Sequence, residues 1–231
     1  MIFITGDTHG DFSRLHSLTR KYNVCRDDIL IILGDAGINY YGSKKDKRLK
    51  ERLKRLPITI FAIHGNHEQR PNNIPSYKEI MWHNGIVYQE DDYPNILFAK
   101  DGEIYDFDGI QTIVIGGAYS VDKYYRLAQG YSWWQDEQPD DSIKARVERQ
   151  LSNNGNKIDV VLSHTCPATY TPTEMFLSGI DQSTVDTTTE QWLDTIENKN
   201  QYKKWYCGHF HTDKSIDKMR FLFTTIEEFK I

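Results

Sequence analysis

The sequence predicts an α/β fold with parallel strands, and two patterns carry that prediction. Apolar runs of about five residues alternate with amphipathic helical stretches through residues 1–63. Strand–helix–strand units of this kind close with right-handed crossovers and build a parallel sheet. The runs are apolar at nearly every position, as expected of strands buried on both faces. A third observation concerns where the runs stop. Five of them end in short clusters of carboxylates, imidazoles or a side-chain amide, at the strand ends where α/β sheets present their functional edge.

In chain order, residues 1–5 read as a strand and 11–22 as a helix with Phe12, Leu15 and Leu18 on one side. Residues 29–33 are the next strand. Residues 44–56 form a charged helix whose Leu49, Leu53 and Leu56 recur at spacings of four and three, an apolar stripe; its charged remainder reads as a solvated face. Residues 58–63 return to strand. Runs at 86–89, 95–99, 103–107 and 110–115 then follow closely, with DDYPN and KDG as turns, and read as a meander forming a second sheet packed on the first. A helix at 141–152, a strand at 158–162, a helix at 188–198 and strands at 203–207 and 219–226 complete the pattern. Segments 118–139, rich in Tyr and Trp, and 165–187, rich in Thr and Ser, fit no regular element; long irregular segments are often binding loops or lids. No repeat or linker divides the chain, so one domain over 1–231 is expected.

The 231 residues suffice for a sizeable core, and the net charge of −5 argues against a broad nucleic-acid-binding surface. No apolar stretch approaches the roughly 20 residues of a membrane span, and the first residues run straight into a strand without a basic leader. Three scattered cysteines, Cys25, Cys166 and Cys207, fit a reducing compartment. The expectation is a cytoplasmic protein without membrane contact; oligomeric state is not legible.

The strand-end clusters are Asp7 and His9 after MIFITG, Asp35 after ILIILG, Asn66 and His67 after ITIFAIHG, His164 after VVLS, and His209 and His211 after KKWYCG. Taken singly, an Asp after a strand is commonly a cap or turn residue, as Asp11 reads, and a lone His is commonly structural, as His16 and His83 read. Together, the clusters supply the mixed nitrogen and oxygen ligands of a centre holding two divalent cations, of which one carboxylate can be shared. Imidazole with carboxylate suits Mn, Fe, Zn, Co or Ni.

In this order, GDTHG, ILGDAG, HGNHE, the His after VVLS, and CGHFH resemble the five blocks of the calcineurin-like metallophosphoesterase superfamily, over roughly residues 1–213. The resemblance implies a four-layer αββα sandwich of two mixed β-sheets flanked by helices. It implies that Asp7, His9 and His211 bind one divalent metal, that Asn66, His164 and His209 bind a second, and that Asp35 bridges them. His67 would be no ligand but the catalytic proton donor to the leaving group. The implied activity is hydrolysis of a phosphate mono- or diester by metal-activated hydroxide. Two departures separate the chain from the protein Ser/Thr phosphatases. Ile38 stands where a second Asp follows their GD block, and His64 stands where an Arg precedes their GNH. Candidate substrate contacts are therefore His64, Arg70, Lys123 and Arg126, with the aromatics of 118–139 as a substrate wall or, equally, a satellite core. A fold reused as a binding scaffold is the alternative reading, and a metal-dependent amide hydrolase a third.

Overall fold

The alternation expected of doubly buried strands is visible side chain by side chain in the computed structural model, which describes residues 1–231. Thirteen strands divide between two mixed sheets. In spatial order the first holds β13 (Ile226–Glu228), β1 (Ile2–Thr5), β2 (Ile29–Ile32), β3 (Thr59–Ala62), β6 (Ile96–Ala99), β5 (Gly85–Glu90) and β4 (Tyr77–Trp82). The second holds β11 (Lys214–Ile216), β12 (Met219–Phe221), β10 (Lys204–Cys207), β9 (Val160–Ser163), β8 (Ile110–Ile115) and β7 (Ile104–Phe107). Strands β1, β2, β3 and β6 are mutually parallel, as are β8, β9, β10 and β12; antiparallel strands close the edges.

Ile2, Ile4, Ile29, Ile31 and Phe61 turn inward against Val160, Leu162 and Tyr206 of the facing sheet. Their neighbours Phe3, Leu30, Ile32 and Ile60 turn outward, onto Leu15 and Leu18 of α1 (Arg14–Tyr22) and Leu49 and Leu53 of α2 (Lys44–Leu53). On the other side, Ile113, Val161 and Trp205 meet Val147 and Leu151 of α4 (Asp141–Asn153) and Leu193 and Ile196 of α5 (Thr188–Lys199). These four layers are the αββα arrangement expected from the sequence. Each fully buried Leu, Ile, Val or Phe contributes about 1.5–3 kcal/mol of transfer free energy, so the period-two alternation specifies strand register as well as layer order. No helix is long and apolar enough to cross a membrane.

The structure corrects several boundaries. The meander is not one sheet: β5 and β6 join the first sheet beside β3, with the additional edge strand β4, while β7 and β8 join the second. The expected strand at 219–226 is two strands in different sheets. The crossing between them is held by the Asp213 carboxylate, which accepts the backbone N–H groups of Phe223 and Thr225 at 2.9 and 3.3 Å. Segment 118–139 contains a short helix, α3 (Lys123–Ala128), and 165–187 contains three 3₁₀ turns, at Ala168–Tyr170, Thr173–Met175 and Gln182–Thr184.

Candidate metal centre

All five strand-end clusters meet. Contacts between loops join the two sheets at this edge: the His209 N–H donates to Asp7 Oδ1 at 3.0 Å, and the Gly117 N–H to the His64 carbonyl at 2.8 Å. The glycines before the cluster residues make the approach possible. A Cβ on Gly65 would stand 2.1 Å from Asp35 Oδ1, and one on Gly208 2.4 Å from Asp7 Oδ1. His9, Asp35, His209 and His211 all adopt left-handed backbone, with φ of 46°, 46°, 68° and 50°. Such strain costs on the order of 1–3 kcal/mol per residue and clusters at functional sites.

Three groups of side chains each bring ligand atoms within 4.8 Å of one another: Asp7, His9 and His211; His9, Asp35 and His67; and Asp7, Asp35 and His164. In the first, Asp7 Oδ2 lies 3.3 Å from His211 Nε2 and 3.8 Å from His9 Nε2, and the two imidazole nitrogens are 2.9 Å apart. Asp7 Oδ2 is buried without a hydrogen-bond partner. Burial works to raise the Asp7 pKa, yet His211, His164 and His9 together hold it well below the usual carboxylate range. Asp35 is likewise lowered against its burial, by His164 and then His67.

The second cluster is more telling. His164 Nδ1 is 2.7 Å from the Leu33 carbonyl, which can only accept, so Nδ1 carries a proton. The Asn66 amide nitrogen donates to Ser120 Oγ at 2.8 Å, so its Oδ1 turns the other way. That Oδ1 stands 2.8 Å from His164 Nε2. A neutral His164 ring would set two acceptors face to face there, an arrangement that a cation or a second ring proton resolves. With the orphaned Asp7 oxygen, these carboxylate, amide and imidazole donors fit a divalent metal ion. His209 belongs to none of the three groups, although its ring packs 5.0 Å from that of His164; burial, then His164, push its pKa down to about 3, leaving a neutral ring.

His67 projects into the same space. Its backbone N–H donates to Asp35 Oδ1 at 2.8 Å, and its ring Nε2 lies 3.8 Å from Asp122 Oδ1. Asp122 and Ser120 are site residues that sequence reasoning missed. They sit in the irregular segment at 118–139, whose aromatic content was the only signal. The residues expected to touch substrate are placed differently. Arg70 is buried, pairs with Asp101 and donates to the Asp136 carbonyl at 2.7 Å. Arg126 is 2 % exposed and donates to Ser120 Oγ at 3.1 Å, bracing the residue that orients Asn66. Lys123 lies over the Trp133 ring at 4.1 Å, and His64 is buried with neither ring nitrogen paired. A cleft of about 400 Å³ opens over the centre, lined by His9, Asp35, Asn66 and His67 and walled by apolar residues such as Phe176 and Ile180 of the 165–187 segment.

Glu68, beneath Asp35, is fully buried, and its pKa is pushed up to about 8 by burial and then by the Asp35 charge. A raised carboxyl pKa supplies stability that is complete below the unfolded value near 4.5 and is lost as pH rises towards 8. In the metal-free protein Glu68 therefore opposes the gain in stability that the buried histidines of lowered pKa make as pH rises through the lower part of that window. Glu68→Gln is expected to shift the slope of stability against pH upward there. Melting temperatures measured against pH with chelator present check this; an unchanged slope in the variant contradicts it.

The sequence model of the calcineurin-like phosphoesterases matches residues 1–213. No functionally curated protein matches significantly. Among solved structures, that of TT1561 from Thermus thermophilus superposes with a TM-score of 0.51 at 12 % identity, covering 96 % of this chain and 87 % of that one. A second gives a TM-score of 0.50 at 12 % identity, covering 96 % and 88 %. At this identity the likeness speaks for the fold alone; the match over residues 1–213, with the blocks it contains, shows that the chain belongs to the calcineurin-like phosphoesterase family.

Proposed function

We propose that the chain, acting as one domain, is a binuclear metal-dependent phosphoesterase. The observation that carries this reading is the convergence of His164 Nε2 and Asn66 Oδ1, 2.8 Å apart, with the buried carboxylates Asp7 and Asp35 at one point. Asp7, His9 and His211 would hold one divalent cation and Asn66, His164 and His209 another, with Asp35 shared. Mn, Fe, Zn, Co and Ni all suit these donors. When bound, such cations neutralise charge on phosphate oxygens and lower the pKa of coordinated water.

The chain's own residues do the rest. The Leu33 carbonyl fixes the tautomer of His164, and Ser120 fixes the Asn66 amide, so both ligand atoms are aimed before any ion arrives. His67 would carry a proton on Nε2 to the departing ester oxygen, and the apolar wall of the cleft would exclude bulk water from that oxygen. Free Cys25, Cys166 and Cys207 support a reducing, cytoplasmic setting.

The test is hydrolysis of aryl phosphate mono- and diesters by the purified chain with Mn²⁺ and with the other divalent cations, together with metal analysis. Metal-dependent release of the phenol is expected. A chain that binds no metal and cleaves neither ester class would instead be a scaffold.

A further inference from the structure

Residues 44–55 read KKDKRLKERLKR, eight Lys or Arg against two carboxylates, in a chain whose net charge is −5. Both carboxylates are occupied. Asp46 accepts the N–H groups of Tyr41 and Ser43 at 3.0 and 3.3 Å, and Glu51 accepts the Tyr93 hydroxyl at 3.1 Å. Lys50 is buried and paired with Glu90 at 2.5 Å. Lys44, Lys45, Lys47, Arg48, Arg52 and Arg55 are all exposed, and none has a carboxylate oxygen within 4.0 Å.

These six cations are not scattered over a solvated face. Leu49 and Leu53 hold α2 against the sheet, and Lys44, Arg48, Arg52 and Arg55 recur at spacings of four, four and three, one position behind that apolar stripe. They line a groove of about 1170 Å³ that runs past Tyr40 and Tyr41 and ends on His9 and His67, the two residues that also border the apolar cleft over the metal centre. At 1.5 Å per residue, α2 from Lys44 to Leu53 spans about 14 Å, with Arg55 in the turn beyond it, so successive cations stand about 6 Å apart along a length of a few nucleotides. At the inner end the Tyr40 ring is parallel to His67 (16°, centroids 6.4 Å apart), and Tyr41 is 47 % exposed. A row of unpaired cations beside accessible aromatic rings is the combination that binds single-stranded nucleic acid. A lone phosphate group leaves the outer cations without purpose.

We propose, resting on the phosphoesterase reading, that the substrate is a nucleic-acid strand whose backbone follows α2 into the centre. Lys44, Arg48, Arg52 and Arg55 meet successive phosphates, a base rests on Tyr41, and the phosphodiester between His9 and His67 is cut. The oxygen of water bonds to phosphorus and the bond from phosphorus to one nucleoside oxygen breaks. One proton of the water ends on that departing oxygen and the other on the phosphomonoester formed.

The test uses the full chain, with Mn²⁺ and again after chelation, and fluorescence anisotropy with a short labelled single-stranded oligodeoxynucleotide carrying phosphorothioate linkages. Binding is expected in both conditions. Its salt dependence should show a slope of about −3 in log K against log salt, from about −0.7 per phosphate neutralised. The triple variant R48A/R52A/R55A, whose alanines preserve the helix, should reduce that slope to about −1 and weaken binding at least tenfold at ~0.1 M salt. The ratio of kcat/KM for an unmodified oligonucleotide to that for an aryl diester should fall in parallel. Absent binding, or an unchanged slope in a triple variant that melts like the parent, overturns the proposal. Equally tight binding of inorganic polyphosphate, unaffected by Tyr41→Ala, overturns the nucleic-acid assignment. Aryl diester cleavage without oligonucleotide binding removes the groove alone. Oligonucleotide binding with neither ester cut removes the phosphoesterase reading, and with it the strand's role as substrate.

Discussion

Asp35→Asn is expected, on the proposed binuclear reading, to lower metal content and to cost at least ~10³-fold in ester hydrolysis. Asp35 is 2 % exposed and is common to two of the three ligand groups, one with His9 and His67 and one with Asp7 and His164. Asparagine matches its shape and keeps an oxygen for the His67 N–H, now bound at 2.8 Å, so the loop has no reason to move. What disappears is one negative charge in a fully buried site. Bound divalent cations supply several kcal/mol of transition-state charge stabilisation, and about 4 kcal/mol corresponds to roughly three orders of magnitude in rate. Two measurements separate this from simple misfolding. Metal analysis should fall below two ions per chain. The Mn²⁺-induced rise in melting temperature should shrink, since a ligand at a hundredfold excess over its Kd stabilises by about 2.7 kcal/mol and a weaker one by less. A variant that retains two ions and the parental rate would remove Asp35 from the bridging position.

The contrast between what the sequence disclosed and what it hid has a physical basis. Strands β1, β2, β3, β9 and β10 are buried on both faces over most of their length, so nearly every position is apolar, and such runs stand out without any knowledge of their neighbours. The residues following them are equally conspicuous, because the close approach of Gly65 to Asp35 and of Gly208 to Asp7 admits only glycine beside each cluster. Strand β4 was invisible for the opposite reason: it is an edge strand with largely exposed side chains, among them Met81, and its pattern satisfies one neighbour only. The division of the meander between two sheets, and the crossing at Asp213, depend on partners far away in sequence. The same holds for the site. Asp7, His9 and His67 are legible beside their strands, whereas Ser120 and Asp122 act only because the segment after β8 folds back over Asn66 and His67. The basic stripe of α2 read as a solvated face because local spacing records which side of a helix is apolar, and nothing in it records what lies across the groove.

Replacing His67 should separate proton transfer from metal binding. Its ring lies parallel to Tyr40 and edge-on to His9 at 5.5 Å, with Nε2 directed towards Asp122, while its backbone N–H is anchored on Asp35. His67 lies within ligand distance of His9 and Asp35, but the proposed ligand set does not include it, so His67→Ala should retain its metals. It should slow cleavage of alkyl esters by ~10²–10⁴-fold, the usual contribution of a positioned general acid, and of aryl esters with good leaving groups far less. The pH profile carries the finer test. Burial lowers the His67 pKa; Asp35 and Asp122 oppose this and Arg126 adds to it, with a net lowering. A proton donor works only while protonated, so its contribution fades as pH rises through that pKa. Asp122 Oδ1, buried without a hydrogen-bond partner and 3.8 Å from Nε2, is a carboxylate near enough to favour the protonated ring. Asp122→Asn removes a negative charge that favours imidazolium, so the alkaline limb for alkyl esters should move to lower pH, with metal content constant and the aryl-ester profile little changed. A limb that stays in place, or moves upward, would leave Asp122 as a loop residue and would require another group to protonate the departing oxygen.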